Sequence, residues 1–327
     1  MANAISTQTH SSDVVVPVNK RPLLNPAELY LLRMTTFQSR EKVVQIANSI
    51  AKIFGADSYK NCDWGKIRRE HLMLIRASYE KKNRSPATIN LILAVMKGIA
   101  EEAWNLNLIS DHDFALIKNM KSAKGSRQTR GRALAQEEIH QLFELCDAKP
   151  GLRNTRDAAI LALGIGCGLR RAEIVGLRID RIVESEQSFT VIGKGNKERS
   201  VYCSRAVWSR LSKWLAIRGQ DGIPEVFCRI VHGSWKTEAK SGRIDYSKPI
   251  STSNVYMILK DFQRKLADVL PFAPHDMRRT FATRLFEMGA DIDTVKKAMG
   301  HSSIVTTQRY DKRGDEEMKR MARMVQL

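Results

Sequence analysis

The stretch KNMKSAKGSRQTRGR, residues 118–132, constrains this chain more than any other feature. It carries Lys118, Lys121, Lys124, Arg127, Arg130 and Arg132, has no acidic residue, and holds no large aliphatic run after Met120. Such a segment has nothing with which to build a core, so it reads as an extended basic linker. The fold must then be assembled separately on its two sides, as domains over 23–120 and 134–327 joined by a linker over 121–133. Residues 1–22 are polar and rich in Ser and Thr, and are expected to be disordered.

On the first side, 26–117 reads as helices with short breaks. Ser39 is placed to cap a helix whose buried side carries Val43, Val44, Ile46, Ala47, Ile50, Ile53 and Phe54, with Gly55 just past its end. Asp63 is placed to cap the next, through about Tyr79. Ser85-Pro86 is an N-cap followed by a first-turn proline, and opens a long apolar helix through Trp104. Four or five helices are expected there. On the second side, AQEEIHQLFELC and the apolar DAAILALGIGCGL (157–169) read as helices. SFTVIGKGNKERSVYC (188–203) changes period: two β-rich runs flank a Gly/Asn-rich turn, a hairpin signal. Helices are expected from there to the end. The fold class is therefore mainly α, with one small β-sheet in the second domain.

The net charge is +19 and the pI near 9.9. An excess of that size repels itself and points to a polyanionic partner, nucleic acid first and an anionic membrane surface second. No apolar run approaches the roughly 18 residues of a membrane span. The first twenty residues lack the basic-then-apolar pattern of a secretory signal. Five cysteines, at 62, 146, 167, 203 and 228, are scattered without a C-x-x-C, so the chain is read as reduced and cytoplasmic, with neither a disulfide framework nor a zinc site.

Four stretches carry residues suited to chemistry, and each has a plain alternative. In GKGNKER, Lys194 and Lys197 project from a hairpin tip, or simply decorate an exposed loop; no Walker A pattern is present. In GCGLRRAEIVGL, Glu173 lies one turn from Arg170, which makes either a surface ion pair or an arginine held rigid enough to grip a phosphate oxygen. In PHDMRRTFATRLFEMGAD, Phe281, Leu285 and Met288 form the expected buried stripe, leaving His275 and Arg278 off the core. That pair is either surface polarity or two donors converging on an oxyanion. In AMGHSSIVTTQRYDKRG, Ser302 or Ser303 can cap a short helix carrying Tyr310, nine positions after His301. A tyrosine there is a packing residue or a nucleophile. Tyr is a poor nucleophile at its ordinary pKa of about 10. To attack a phosphodiester it needs cations on the non-bridging oxygens, a proton acceptor, and a donor for the leaving oxygen. Two Arg, two His, a Lys and a Tyr supply that inventory with no cofactor or metal.

The ordered series GLRRAE, GKGNKER, HDMRRTFATRL and GHSSIVTTQRY resembles the tyrosine recombinase (phage integrase) family, in the style of its Xer-like and compact integrase members. Four separated motifs in matching order and spacing are a specific signal, and they span about 130–315. The helical segment 26–117, especially SPATINLILAVMKGIAEEA, is similar to the family's N-terminal core-binding, SAM-like domain. The resemblance implies the catalytic fold shared with type IB topoisomerases. It implies that Tyr310 attacks the scissile phosphate to give a 3′-phosphotyrosyl link, with Arg170 and Arg278 on the non-bridging oxygens. Lys194 would act as general acid, His275 would assist proton transfer, His301 would bond the phosphate, and Glu173 would order the Arg170 turn. Where relatives often have His after the second arginine, this chain has Arg279. DNA contacts are expected from Lys66, Arg68, Arg69, Arg76, Lys81, Lys82, Arg84 and Lys197 and from the linker cations. Double-stranded DNA with specific sites would be the partner, in a homotetramer, with or without a partner recombinase. The tail 311–327, with Met318, Met321, Met324, Val325 and Leu327, would dock on a neighbour or pack on its own domain. A monomeric topoisomerase, a non-catalytic DNA-binding regulator and an RNA-binding protein are the competing readings. The last lacks an RNP-like aromatic strand.

Overall fold

The computed structural model describes residues 25–34, 37–125, 131–193, 196–231, 242–266, 269–311 and 322–324. The chain divides into two compact units, Met1–Thr129 and Arg130–Leu327, and the division falls inside the basic stretch.

The first unit holds α1 (Pro26–Leu32), α2 (Phe37–Ile53), a 3-10 turn (Trp64–Lys66), α3 (Arg69–Lys81), α4 (Pro86–Asn105) and α5 (Asp111–Lys118). α4 is its axis: α1, α2, α3 and α5 all pack against it. Its start is as expected, with Pro86 in the first turn and the Ser85 hydroxyl accepting from the Thr88 N–H at 3.2 Å. Ile92, Val95, Met96, Ile99 and Ala103 then bury at the spacing of one helix face. Two expected caps differ. α2 begins at Phe37, so Ser39 lies inside its first turn. Asp63 precedes the 3-10 turn, and its side chain makes no cap bond. α3 starts six residues later, where the His71 ring accepts the Arg68 N–H at 3.0 Å. Trp64 opens that turn with its ring buried at 1% exposure and its indole N–H donating to the Tyr59 carbonyl at 2.8 Å.

The beginning of the basic stretch is tied down. Lys97 Nζ donates to the carbonyls of Lys118 and Met120 at 2.9 and 2.6 Å. Asn90 pairs with Ala123 in both directions, at 2.7 and 3.1 Å. Backbone 118–123 is therefore laid along the first unit, while its lysine side chains at 118 and 121 stay exposed.

The second unit holds α6 (Gln136–Asp147), α7 (Leu152–Gly166), α8 (Arg171–Val175), β1 (Ile182–Val183), β2 (Ser188–Ile192), β3 (Glu198–Tyr202), α9 (Arg205–Arg218), β4 (Cys228–Val231), β5 (Arg243–Pro249), α10 (Thr252–Lys265), α11 (Pro274–Glu287), α12 (Ile292–Met299) and α13 (Ile304–Gln308). α7 is buried continuously from Arg156 to Ile165, because α6, α9 and α11 all pack on it. The expected hairpin is β2–β3, antiparallel, with Phe189 facing Val201 and Ile192 facing Glu198. β1 extends it to three strands. A second sheet, β4–β5, stands where only helices were expected. β4 is only four residues long, and β5 ends in Lys248-Pro249 and pairs with β4 from the far side of a long connection, so no adjacent turn marks the pair as a hairpin. Among the described residues no helix is long and apolar enough to cross a membrane.

Candidate active site

The site is built where α7 ends. Gly168 adopts φ +62, and a Cβ there would sit 2.4 Å from the Phe281 ring, so only glycine fits this turn. Leu169 anchors the turn at 1% exposure, and Arg170 follows at the N-cap of α8. Glu173, 4% exposed, reaches back to it. Its Oε2 accepts the Arg170 N–H at 2.9 Å and its Oε1 the Arg170 Nη1 at 2.7 Å.

The same carboxylate holds a second arginine. Arg199 Nη1 and Nη2 donate to Glu173 Oε1 and Oε2, both at 2.9 Å, in a fork-to-fork pair. Burial pushes the Glu173 carboxyl up, but the Arg199 hydrogen bonds and the Arg170 N–H outweigh it and hold the group at about 2. Glu173 thus fastens the α8 start to β3, the strand that follows the hairpin tip. Arg199 was not assigned a role from sequence. The available signal was its strand phase: Glu198, Ser200 and Tyr202 face out, so Arg199 points inward and needs a buried acid.

Arg278 departs from its expected place off the core. It is 1% exposed, and its guanidinium donates to the carbonyls of Gly168 and Met299. Its Nε is buried, with no hydrogen-bond partner among the described residues. The reason is that α11 is covered around its first two turns: Asp276, Met277, Arg278, Arg279 and Thr280 are all buried. The expected stripe fails at its far end, where Met288 closes the helix at 75% exposure. Arg170 Nη2 donates to the Gly300 carbonyl at 3.2 Å, so both arginines converge on the α12 C-terminus beside the Gly168 turn. Burial first, and then repulsion from Arg170, lowers the Arg278 pKa. Two guanidiniums that repel each other in a partly closed site form a place for an anion. A cavity of about 340 Å³, lined in part by Arg170, Tyr256, His275 and Arg278, opens there.

Tyr310 lies two residues past α13 and is 4% exposed. It packs with Ala282, Phe286, Val295 and Met299. Its hydroxyl is 2.9 Å from His275 Nε2. The His301 ring stacks on it at 5.9 Å and 20°, and the Arg279 guanidinium lies over its face at 5.3 Å. His301 Nδ1 is fixed by the buried Thr307 hydroxyl at 2.9 Å. Burial, then the charges of Arg278 and Arg279, lower the His275 pKa. Burial, Arg278 and Arg170 push His301 down to about 4. Both rings are therefore neutral at pH 7, and His275 can accept a proton from the phenol.

The structure brings Arg170, Glu173, His275, Arg278, His301 and Tyr310 together; Lys194 lies outside the described residues. Of the expected DNA contacts, Arg127 and Arg130 also lie outside them. Lys66, Arg69, Lys81, Lys82, Arg84, Lys118, Lys121, Lys124 and Lys197 are exposed. Three others are partly buried and bonded within their own unit, and the exposed Lys66 pairs with Asp63 at 3.1 Å. Arg68 donates to the carbonyls of Gly65 and Ile67 and pairs with Asp113 at 3.2 Å. Arg76 pairs with Glu80 at 2.8 Å. Arg132 grips Glu138 and donates to the Leu270 carbonyl at 2.6 Å.

The phage integrase family model matches residues 132–317, which contain Arg170, Glu173, Lys194, His275, Arg278, His301 and Tyr310. The chain is 29% identical to tyrosine recombinase XerA of Pyrococcus horikoshii over 238 residues, 72% of this chain and 73% of that one. It is 32% identical to tyrosine recombinase XerC of Myxococcus xanthus over 235 residues, 70% of this chain and 72% of that one. Among solved structures, the Tn1549 transposon integrase in complex with transposon right end DNA superimposes with a TM-score of 0.63 at 16% identity, covering 92% of this chain and 99% of that one. A lambda integrase dimer bound to a COC′ core site gives 0.61 at 16% identity, covering 88% and 77%. These two show the same mainly helical fold. With a family model over more than half its length and relatives matched along most of theirs, the chain belongs to the phage integrase family and is a tyrosine site-specific recombinase.

Proposed function

We propose that this recombinase cuts and rejoins double-stranded DNA through a 3′-phosphotyrosyl intermediate at Tyr310. The observation that carries this reading is the Tyr310 hydroxyl, 2.9 Å from a neutral His275, in the site that holds the half-buried Arg170 and the buried Arg278. The hydroxyl attacks phosphorus while His275 Nε2 takes its proton. The P–O5′ bond breaks, and the 5′-oxygen leaves with a proton from Lys194. Arg170 and Arg278 neutralise the non-bridging oxygens as charge builds on them. His301 stacks on the phenol and adds a contact to the phosphate. One phosphodiester is exchanged for another, so a 5′-hydroxyl from a second strand reverses the steps without ATP. In this reading the first unit is the core-binding domain. Its exposed Lys66, Arg69, Lys81, Lys82 and Arg84, with Lys118, Lys121 and Lys124, supply the phosphate contacts. Four copies on two sites exchange strands; Met318, Met321, Val325 and Leu327 of the expected tail lie outside the described residues.

The test is a suicide-substrate trap without metal. Nicked duplexes from the DNA flanking the gene are incubated with the chain and run on a denaturing gel, and the adduct is mapped by mass spectrometry. An adduct at Tyr310, absent from Tyr310→Phe with DNA binding retained, is the expected result. Tight binding at one site with no adduct would make the chain a non-catalytic regulator. Relaxation of supercoils by a monomer at a single site would make it a topoisomerase.

A further inference from the structure

Two thiols meet beneath the Arg170 turn. Cys167 caps the C-terminus of α7, three positions before Arg170, and is 1% exposed. Cys203 follows β3 and is half-buried. Their Sγ atoms lie 3.8 Å apart although 36 residues separate them.

We propose that Cys167 and Cys203 are an oxidation site, a dithiol that a hydroperoxide converts to a disulfide, and that closing this bond distorts the phosphate pocket. The second half rests on the recombinase chemistry proposed above. Cys203 is the sulfur a peroxide reaches first. The hydrogen bond from Cys167 lowers its thiol pKa, while that bond and burial raise the Cys167 thiol. A lowered, accessible thiol beside a second cysteine is the arrangement that oxidation selects. The Cys203 thiolate attacks a peroxide oxygen, the O–O bond breaks, and the sulfur becomes a sulfenic acid. Cys167 Sγ attacks that sulfur, and the hydroxyl leaves as water with the Cys167 proton. In sum two thiols and one hydrogen peroxide give one disulfide and two waters, with two electrons passing from sulfur to oxygen.

The consequence for the pocket follows from what each cysteine is attached to. A disulfide spans about 2.05 Å between sulfurs. The present 3.8 Å gap must therefore close by roughly 1.7 Å. On one side Cys203 is restrained, because its N–H donates to the Gln187 carbonyl at 2.9 Å and β3 is paired along its length with β2. On the other side lies a turn held by a few bonds. Gly168, next to Cys167, gives its carbonyl to Arg278, and Arg170 starts two residues further on. The strain falls on that turn and reaches both phosphate-binding arginines. A misplacement of about 1 Å at such groups costs on the order of 100-fold in rate.

The full-length reduced chain is treated with hydrogen peroxide, capped with iodoacetamide and digested without reduction. A cross-linked peptide pair joining 167 and 203 is expected. Amide hydrogen exchange at 168–173 should change with it. Adduct formation on nicked duplexes that the reduced chain cleaves should fall about 100-fold and return with dithiothreitol. Cys203→Ser should show no cross-link, no exchange change and no loss. Cys167→Ala serves as the second variant with the same expectation. Recovery of both cysteines as capped thiols after peroxide overturns the proposal. So does a cross-link that leaves exchange and cleavage unchanged, or an equal loss of cleavage in Cys203→Ser. If the reduced chain cleaves no duplex, the recombinase chemistry fails, and the cross-link with the exchange pattern still decides the dithiol.

Discussion

Glu173→Gln isolates the clasp that joins Arg170 to Arg199. Four hydrogen bonds converge on this carboxylate: the Arg170 N–H, Arg170 Nη1, and Arg199 Nη1 and Nη2. Its pKa is held at about 2 against an ordinary 4.5. At about 1.4 kcal/mol per pH unit, the ionised form is favoured in the folded chain by roughly 3 kcal/mol. An independent route gives the same scale. Gln keeps one acceptor oxygen but turns an amide NH₂ toward guanidinium donors, and leaves the Arg199 side chain, 13% exposed, without its counter-charge. Breaking a buried pair from one side costs about 3–5 kcal/mol.

The sign of the pH dependence is fixed by the same numbers. A carboxyl whose pKa is depressed on folding contributes fully above its unfolded value, and loses that contribution as pH falls through its folded value. The gap between wild type and Glu173→Gln should therefore be constant from pH 7 down to about 5, and shrink between about 4.5 and 2. Urea pulse proteolysis, scored on peptides from α7, reads the second unit alone and avoids mixing two unfolding events. A loss below about 1 kcal/mol at pH 7, or a gap that stays constant through pH 3, would refute the clasp.

Arg170→Ala or Arg278→Ala should lower single-turnover cleavage by roughly 10³–10⁵ with little change in DNA binding by fluorescence anisotropy; near-normal cleavage would remove both from the phosphate. Because the His275 pKa is lowered, the midpoint of the acid-side fall in cleavage should lie below the ordinary imidazole value of 6.5; a midpoint above 6.5 would point to another base. Gly98→Ala places a Cβ 2.1 Å from the Tyr30 ring, and should destabilise the first unit by about 1–3 kcal/mol in urea unfolding. An unchanged midpoint would show that α1 does not pack there. Neutralising Lys118, Lys121 and Lys124 should flatten the salt dependence of DNA binding by about 0.9 in log–log slope per charge; an unchanged slope makes the stretch a tether alone.

What was legible in the sequence is what short-range rules govern. Ser85-Pro86 opened a helix because the first-turn bonds are satisfied locally. The β2–β3 hairpin was readable because its turn residues adjoin its strands. Residue types alone left Tyr310, His275, Arg170 and Arg278 each with a plain alternative; it was the order and spacing of four motifs, resembling one family, that grouped them. What was not legible depends on which elements meet. Arg278 is polar and one turn from His275, so a single-helix view leaves it outside. It is buried because the Gly168 carbonyl, 110 residues away, and the Met299 carbonyl come to it. Arg199 was passed over for the opposite reason: it stood in a quoted motif but beside the more conspicuous Lys194 and Lys197. Strand phase decides the matter. In an alternating strand an arginine on the inward side cannot remain unpaired, so its position called for a buried acid nearby. Glu173 was the acid already tied by spacing to Arg170. One carboxylate serving two arginines, one on the phosphate turn and one on the strand after the Lys194 loop, links parts of the site that motif spacing treats as separate.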